Sequence, residues 1–340
     1  MKYTDEQVKK AVEIGIFTED QVKKFRDYIQ NSSNHVTKLQ KVLYYGGGLL
    51  IISALTWLMI DNWKKFGPGA ITVFSALYFL VFLFVGCFVF FKKKMETPGG
   101  LLLAIPIAAA PLFIFSLLRL FNFWPQEWDY HDYYVWVKGK WILLELGTIC
   151  AALPIFIKTK FPFHVFLIAG ALWFFSMDIV PVIYKETEIT WTERAVISDI
   201  FGILMIGVGY FADIKSKKDY SFWLYLFGLI TLVSGLSVFH NDNLPKFIIL
   251  GAINVFLIFF SVFINRNVFL VFGAIGLTEF LGRLSWEFFS GSALFPLALT
   301  AIGVLLIAAG MFFQKNKKKI DEYIRNKLPA CALKLRPRKN

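Results

Sequence analysis

The sequence predicts an all-α, polytopic membrane helix bundle, and three observations carry that prediction. Apolar residues make up 57% of the chain, where soluble domains sit nearer about 45–50%. Val42–Ile60 is a run of 19 residues without a charge, long enough to cross a hydrocarbon core of about 30 Å as a helix. The basic residues, finally, fall mostly in alternate connections between such runs, the asymmetry that orients membrane proteins.

Before the first run the chain is hydrophilic. Thr4-Asp5-Glu6-Gln7-Val8-Lys9-Lys10 returns as Thr18-Glu19-Asp20-Gln21-Val22-Lys23-Lys24. In each copy threonine at the N-cap and glutamine three residues on make a capping box. Gly15 is the expected stop of the first helix. Residues 1–38 therefore read as a cytoplasmic two-helix hairpin with an apolar seam of Val8, Ala11, Val12, Ile16, Val22, Phe25 and Tyr28. No cleavable signal precedes Val42–Ile60, which is expected to act as the targeting signal itself.

The first apolar run stops at Asp61-Asn62-Trp63, an indole at the level of the headgroups. Nine further spans follow: Gly69–Phe91, Gly99–Leu118, Trp141–Ile157, Pro162–Tyr184, Ala195–Ala212, Ser221–Phe239, Pro245–Ile264, Val268–Phe289 and Ser292–Phe313. Residues 42–313 thus form one transmembrane domain of about ten helices. With the N-terminus inside, 27 of the 36 Lys and Arg residues lie on the inner side. That bias predicts both termini inside, and only an even number of spans allows it. The formal charge of +12 is accounted for in this way, and no motif points to nucleic acid.

Other features stand apart from the spans. Phe121–Trp136 packs eight aromatics into sixteen residues, the composition of a cap lying on the outer leaflet. Asp129, His131 and Asp132 lack a second cluster to complete a metal site, so no metal and no cofactor is expected. Residues 314–340 are a polybasic cytoplasmic tail. Lys315, Lys317, Lys318 and Lys319 directly after the last span would attract anionic lipid. Spans one and seven can be overlaid as a weak parallel repeat, with Gly48 on Gly228.

Ionisable residues inside spans mark function by default. Arg119, Glu145, Asp178, Asp199, Glu279 and Arg283 all fall in the outer half, with Asp61 at an outer end and no counterpart in the inner half. They are the expected lining of an outward-facing polar cavity. Pro106 and Pro111 suggest a kinked or unwound helix beside it, and Gly202, Gly207, Gly209, Gly273 and Gly276 suggest close helix packing. Signatures of soluble enzymes are absent.

The hairpin, Gly46-Gly47-Gly48, the Asp61-Asn62-Trp63 exit and the span that follows at once resemble the uncharacterised bacterial membrane proteins grouped as domain of unknown function 2157, over residues 5–90. The resemblance implies a multi-pass protein of the bacterial inner membrane and brings no substrate or catalytic residues. The leading functional expectation is a carrier or flippase-like protein for a small or lipid-linked polar solute. The alternatives are a sensor or assembly factor that binds a protein partner through its hairpin, and a membrane-embedded transferase acting on lipid-linked sugar, with Asp61 as its acid.

Overall fold

The computed structural model describes residues 11–22, 24, 38–124, 138–184, 191–216, 218–238, 244–289, 292, 294–297, 299–304, 308, 311 and 315. Among them every regular element is a helix. In chain order these are α1 (Lys38–Cys87), a π turn (Phe88–Lys92), α2 (Glu96–Leu120), α3 (Lys138–Thr159), α4 (Pro162–Asp178), the short α5 (Val180–Tyr184), α6 (Trp191–Lys215), α7 (Ser221–Val238), α8 (Leu244–Ile264) and α9 (Asn267–Phe289).

The first departure from expectation is local. Asp61-Asn62-Trp63 does not end a helix; α1 runs through it and breaks at Gly67 (φ 69, ψ 166). A residue with no Cβ adopts that backbone without strain. Pro68 then restarts the helix, because its fixed φ suits a first turn and its missing N–H is not needed there. The polar triplet ends an uncharged run of sequence, whereas the glycine–proline pair ends the helix.

Among the described residues five helices are long and apolar enough to cross a membrane: Phe66–Lys92, Glu96–Leu120, Trp141–Thr159, Trp191–Lys215 and Asn267–Glu287. Shorter apolar helices, Val42–Ala54, Pro162–Asp178, Ser221–Leu236, Ile248–Ile264 and Leu294–Val304, stand at the other expected spans. The outward surface is apolar, with Phe84, Leu50 and Trp57 all exposed. A water-soluble protein seldom shows such a face, whereas lipid requires it.

Neighbouring helices pair in hairpins, the second half of α1 with α2, α3 with α4, α6 with α7, and α8 with α9. α2 lies deepest, burying a face from Gly99 to Ser116 and staying helical through both Pro106 and Pro111. The expected unwinding there does not occur. His164 is fully buried and ties the α3–α4 turn to α2: its Nε2 lies 2.8 Å from the Gly100 carbonyl and its Nδ1 3.1 Å from Thr159 Oγ1. The α6–α7 contact is lined with glycine, so a Cβ on Gly202 would stand 2.8 Å from the Gly228 carbonyl. Gly209, Gly273 and Gly276 are similarly crowded, but Gly207 faces open space. Gly48 also meets nothing, unlike Gly228, and so the overlay of spans one and seven has no echo in packing.

At the N-terminus the second capping box forms as read. Thr18 N–H donates to Gln21 Oε1 at 3.0 Å, and Gln21 N–H to Thr18 Oγ1 at 3.4 Å. Gly15 turns the chain before it at φ 75. The other halves of both hairpin helices lie outside the described residues.

Candidate functional site

The connections Lys92–Glu96, Thr159–Pro162, Lys215–Ser221 and Ile264–Asn267 come together at one end of the bundle. Lys218 Nζ reaches Glu96 at 3.7 Å and donates to the Lys160 carbonyl at 3.4 Å; Tyr220 OH donates to the same carbonyl at 3.0 Å. Burial, with Glu96 adding to it, holds the Tyr220 hydroxyl proton more firmly than in water, which suits a donor. Connections that charge counting assigned to a single side do share one end, here called the basic end.

That end also holds the ion pair the sequence reading missed. Asp213, 9% exposed, stands two residues before the end of α6. Arg266 in the α8–α9 turn donates from Nε to Asp213 Oδ2 at 2.9 Å, and its Nη2 meets Oδ1. Its Nη1 bonds Asp219 at 2.8 Å and Nη2 bonds Ser221 Oγ at 3.2 Å. Tyr225 OH donates to Asp213 at 3.4 Å. The hydrogen bond to Asp213, then Asp219, raises the Arg266 pKa above its ordinary value, so the guanidinium is permanently charged. The sequence-based set of charges within spans omits Asp213, because that span ends at Ala212, one residue short of it, whereas α6 runs on to Lys215.

At the opposite end the helices bring acids inward. Glu145 lies 14 residues before the last residue of α3, Asp178 ends α4 16 residues after its start, and Asp199 stands 16 residues before the end of α6. At 1.5 Å per residue all three are about 21–24 Å from the basic end. Ring contacts fix the register: Phe175 of α4 packs on Phe201 of α6 at 5.8 Å, and Trp173 on Phe227 of α7 at 6.0 Å. Three acids on three helices thus share one depth.

Their surroundings differ from those of Asp213. Glu145 is 6% exposed, and neither of its oxygens meets a hydrogen-bond donor among the described residues. Asp178 lies close enough to Glu145 to interact with it. Asp199 packs its Oδ1 against Gly235, where a Cβ would stand 2.1 Å away, and that oxygen too lacks a partner among the described residues. Ser116 and Thr148 nearby turn their hydroxyls back onto their own helices, at Phe113 O and Leu144 O.

The remaining candidates separate. Arg119 sits one residue before the end of α2, half-buried. Glu279 and Arg283 pair with each other one turn apart at 3.0 Å on an exposed face of α9. Asp61 is helical and its side chain lies outside the described ones. Lys315 is exposed; Lys317, Lys318 and Lys319 lie outside the described residues. Of the aromatic segment, Trp124 is buried between α2 and α3, edge-on to Phe115 at 4.7 Å, while Phe121 and Phe123 are exposed. Asp129, His131 and Asp132 lie outside the described residues.

Comparison with family models, with curated proteins and with solved structures finds no match.

Proposed function

We propose that the chain is a carrier or flippase-like protein for a small or lipid-linked polar solute, with its polar site at the end remote from the basic loops. Glu145 is the observation that carries this reading. An acid deep in a spanning helix costs about 2.5–3.5 kcal/mol, and here no cation or donor among the described residues offsets that cost. Groups kept at such a cost in membrane proteins face a pathway for ions or solutes. Asp178 and Asp199 at the same depth give that pathway polar walls.

In this reading the five long and five shorter apolar helices are ten spans, and the basic end faces the cytoplasm of a bacterial inner membrane. Both termini then lie inside, and Lys315, Lys317, Lys318 and Lys319 meet anionic lipid. The resemblance to domain of unknown function 2157 is in keeping with that location. A second reading, a sensor or assembly factor acting through the hairpin, draws on the exposure of Ile14, Ile16 and Phe17 beside the formed capping box.

The test needs no substrate. In a variant with Cys87, Cys150 and Cys331 replaced, single cysteines at 145, 178 and 199 are exposed to a small membrane-impermeant thiol reagent on intact cells. Labelling of position 145 from outside is expected, because a carrier site must meet water. Protection at all three positions, with a control cysteine at 123 labelled, removes the carrier reading.

A further inference from the structure

Packing within the hairpins differs from packing between them. In α6–α7 a Cβ on Gly202 would stand 2.8 Å from the Gly228 carbonyl, and in α8–α9 a Cβ on Gly273 would stand 2.8 Å from the Asn254 carbonyl. Small residues let two helix backbones approach this closely, and backbones in contact move as one body. Where α8–α9 meets α6–α7, side chains make the contact instead. Tyr225 and Leu229 of α7 form one apolar cluster with Leu257 and Ile264 of α8 and Phe269 of α9, the Tyr225 and Phe269 rings standing edge-on at 4.9 Å. A seam of packed side chains permits small sliding of one rigid element on another.

The cluster lies in the half of the bundle nearer the basic end. Leu257 is seven residues before the end of α8, about 10 Å along the helix. Phe269 is two residues after the start of α9. Arg266, in the turn between them, joins α8–α9 to Asp213 of α6 and to Asp219 and Ser221 at the start of α7. Tyr225 belongs to the cluster and donates to Asp213, so clasp and cluster are continuous.

This clasp can part as a whole. The Asp213 side chain is 6% exposed, but those of Arg266 and Asp219 are 22% and 55% exposed, so water already reaches one side of it. Removing one partner strands a buried charge, whereas moving the turn away hydrates both partners and relieves the desolvation that closure imposed. Opening therefore costs far less than the loss of Arg266.

We infer that Arg266 is the latch of a gate at the basic end. Its release lets the α8–α9 hairpin slide on α7 and opens the apolar cluster behind it to water. The gate deepens the carrier reading and rests on it, since a carrier that meets water at the remote end must also meet it at the basic end.

Thiol labelling of the full chain in lipid nanodiscs tests the latch, because both faces then meet a water-soluble reagent. In a background without the native cysteines, Leu257→Cys reports behind the latch and Glu145→Cys at the remote site. Val165→Cys, buried among α4, α6 and α7, is the control. Arg266→Met/Asp213→Leu breaks the latch and leaves no buried charge alone. Asp219→Asn weakens it with the buried pair kept, and carries the test if the double variant does not fold. Breaking the latch is expected to raise labelling at 257 by roughly tenfold and to lower it at 145, because the two openings are coupled reciprocally. Unchanged labelling at 257 overturns the latch. So does a rise at 165, which would mean that the whole end has loosened, and so does a rise at 257 with labelling at 145 equal in every variant. Protection of 145 with the latch intact is a different failure: it removes the carrier reading, and the gate falls with it.

Discussion

The two ends of the bundle solve the same electrostatic problem in opposite ways. At the basic end a buried acid, Asp213, receives the Nε/Nη2 edge of a guanidinium, and that guanidinium goes on to Asp219 and Ser221. At the other end a still more buried acid, Glu145, lies close to a second acid. Folding alone favours the first arrangement, since burial of a charge is offset by a close, well-oriented partner. The second is worse than an apolar pair of the same shape would be. Stability is thus concentrated where the basic loops meet, and the site that folding does not explain lies about 21–24 Å away along the helices.

Breaking the mated end should give the largest effect. Arg266→Met strands the buried Asp213, and the loss expected from removing one partner of a buried pair is about 3–5 kcal/mol. Unfolding of the purified protein in detergent measures it. The double variant Arg266→Met/Asp213→Leu should recover most of the loss, because no buried charge is then left alone. If the double variant is no better than the single one, the pair is not what holds α6 to the α8–α9 turn.

Next in size is the glycine contact that aligns α6 with α7 and so sets the depth of Asp199. Gly202→Ala would push a methyl into backbone atoms, the Gly228 carbonyl and Leu232 N–H, each 2.8 Å from the new Cβ. Backbone cannot swing aside as a flexible side chain can, so the helices must separate, at about 1–3 kcal/mol. Gly207→Ala is the control. It meets nothing within 4 Å and should gain about 0.5–1 kcal/mol from the better helix former. Equal effects at the two positions would refute the close packing.

These contrasts show what could be read in advance. Helix class, hairpin order and the gathering of four connections at one end follow from apolar run length and Lys/Arg placement, because lipid imposes both. The position of Glu145, Asp178 and Asp199 at the end remote from the basic loops was legible for the same reason. Which acids would meet was not: Glu145 and Asp178 are brought together by helix rotation, which hydropathy does not encode. Glu279 and Arg283, one turn apart, were foreseeable as a pair, and they satisfy each other at the surface instead of joining the rest. Asp213 escaped because a charge one residue beyond an apolar run looks solvated in sequence, although an arginine 53 residues on covers it. A lone arginine in a tight turn between two spans was the available signal.

At the unmated end the sign should reverse. Glu145→Gln keeps the shape, removes one of two acids and should cost no stability, whereas Arg266→Met costs about 3–5 kcal/mol. A melting temperature equal to or above that of wild type is the expected outcome. A loss as large as that of Arg266→Met would mean that Glu145 holds a structural cation or donor, and the contrast between the two ends would vanish.

The smallest effect is expected where charges meet at the basic end but stay in water. Lys218 and Glu96 are 3.7 Å apart, and both side chains are largely exposed. Solvent screening and the entropy of two long side chains leave such a pair about 0–1 kcal/mol. Lys218 also donates to the Lys160 carbonyl, but Tyr220 OH donates there at a shorter distance and would remain. Lys218→Met should therefore shift unfolding by less than about 1 kcal/mol, and the shift should shrink as salt shortens the Debye length from about 10 Å at 0.1 M to about 3 Å at 1 M. Arg266→Met should respond far less to salt, since Asp213 is shielded from ions. A Lys218→Met loss that survives 1 M salt would place this contact among the buried ones, and the basic end would be bound by two clasps instead of one.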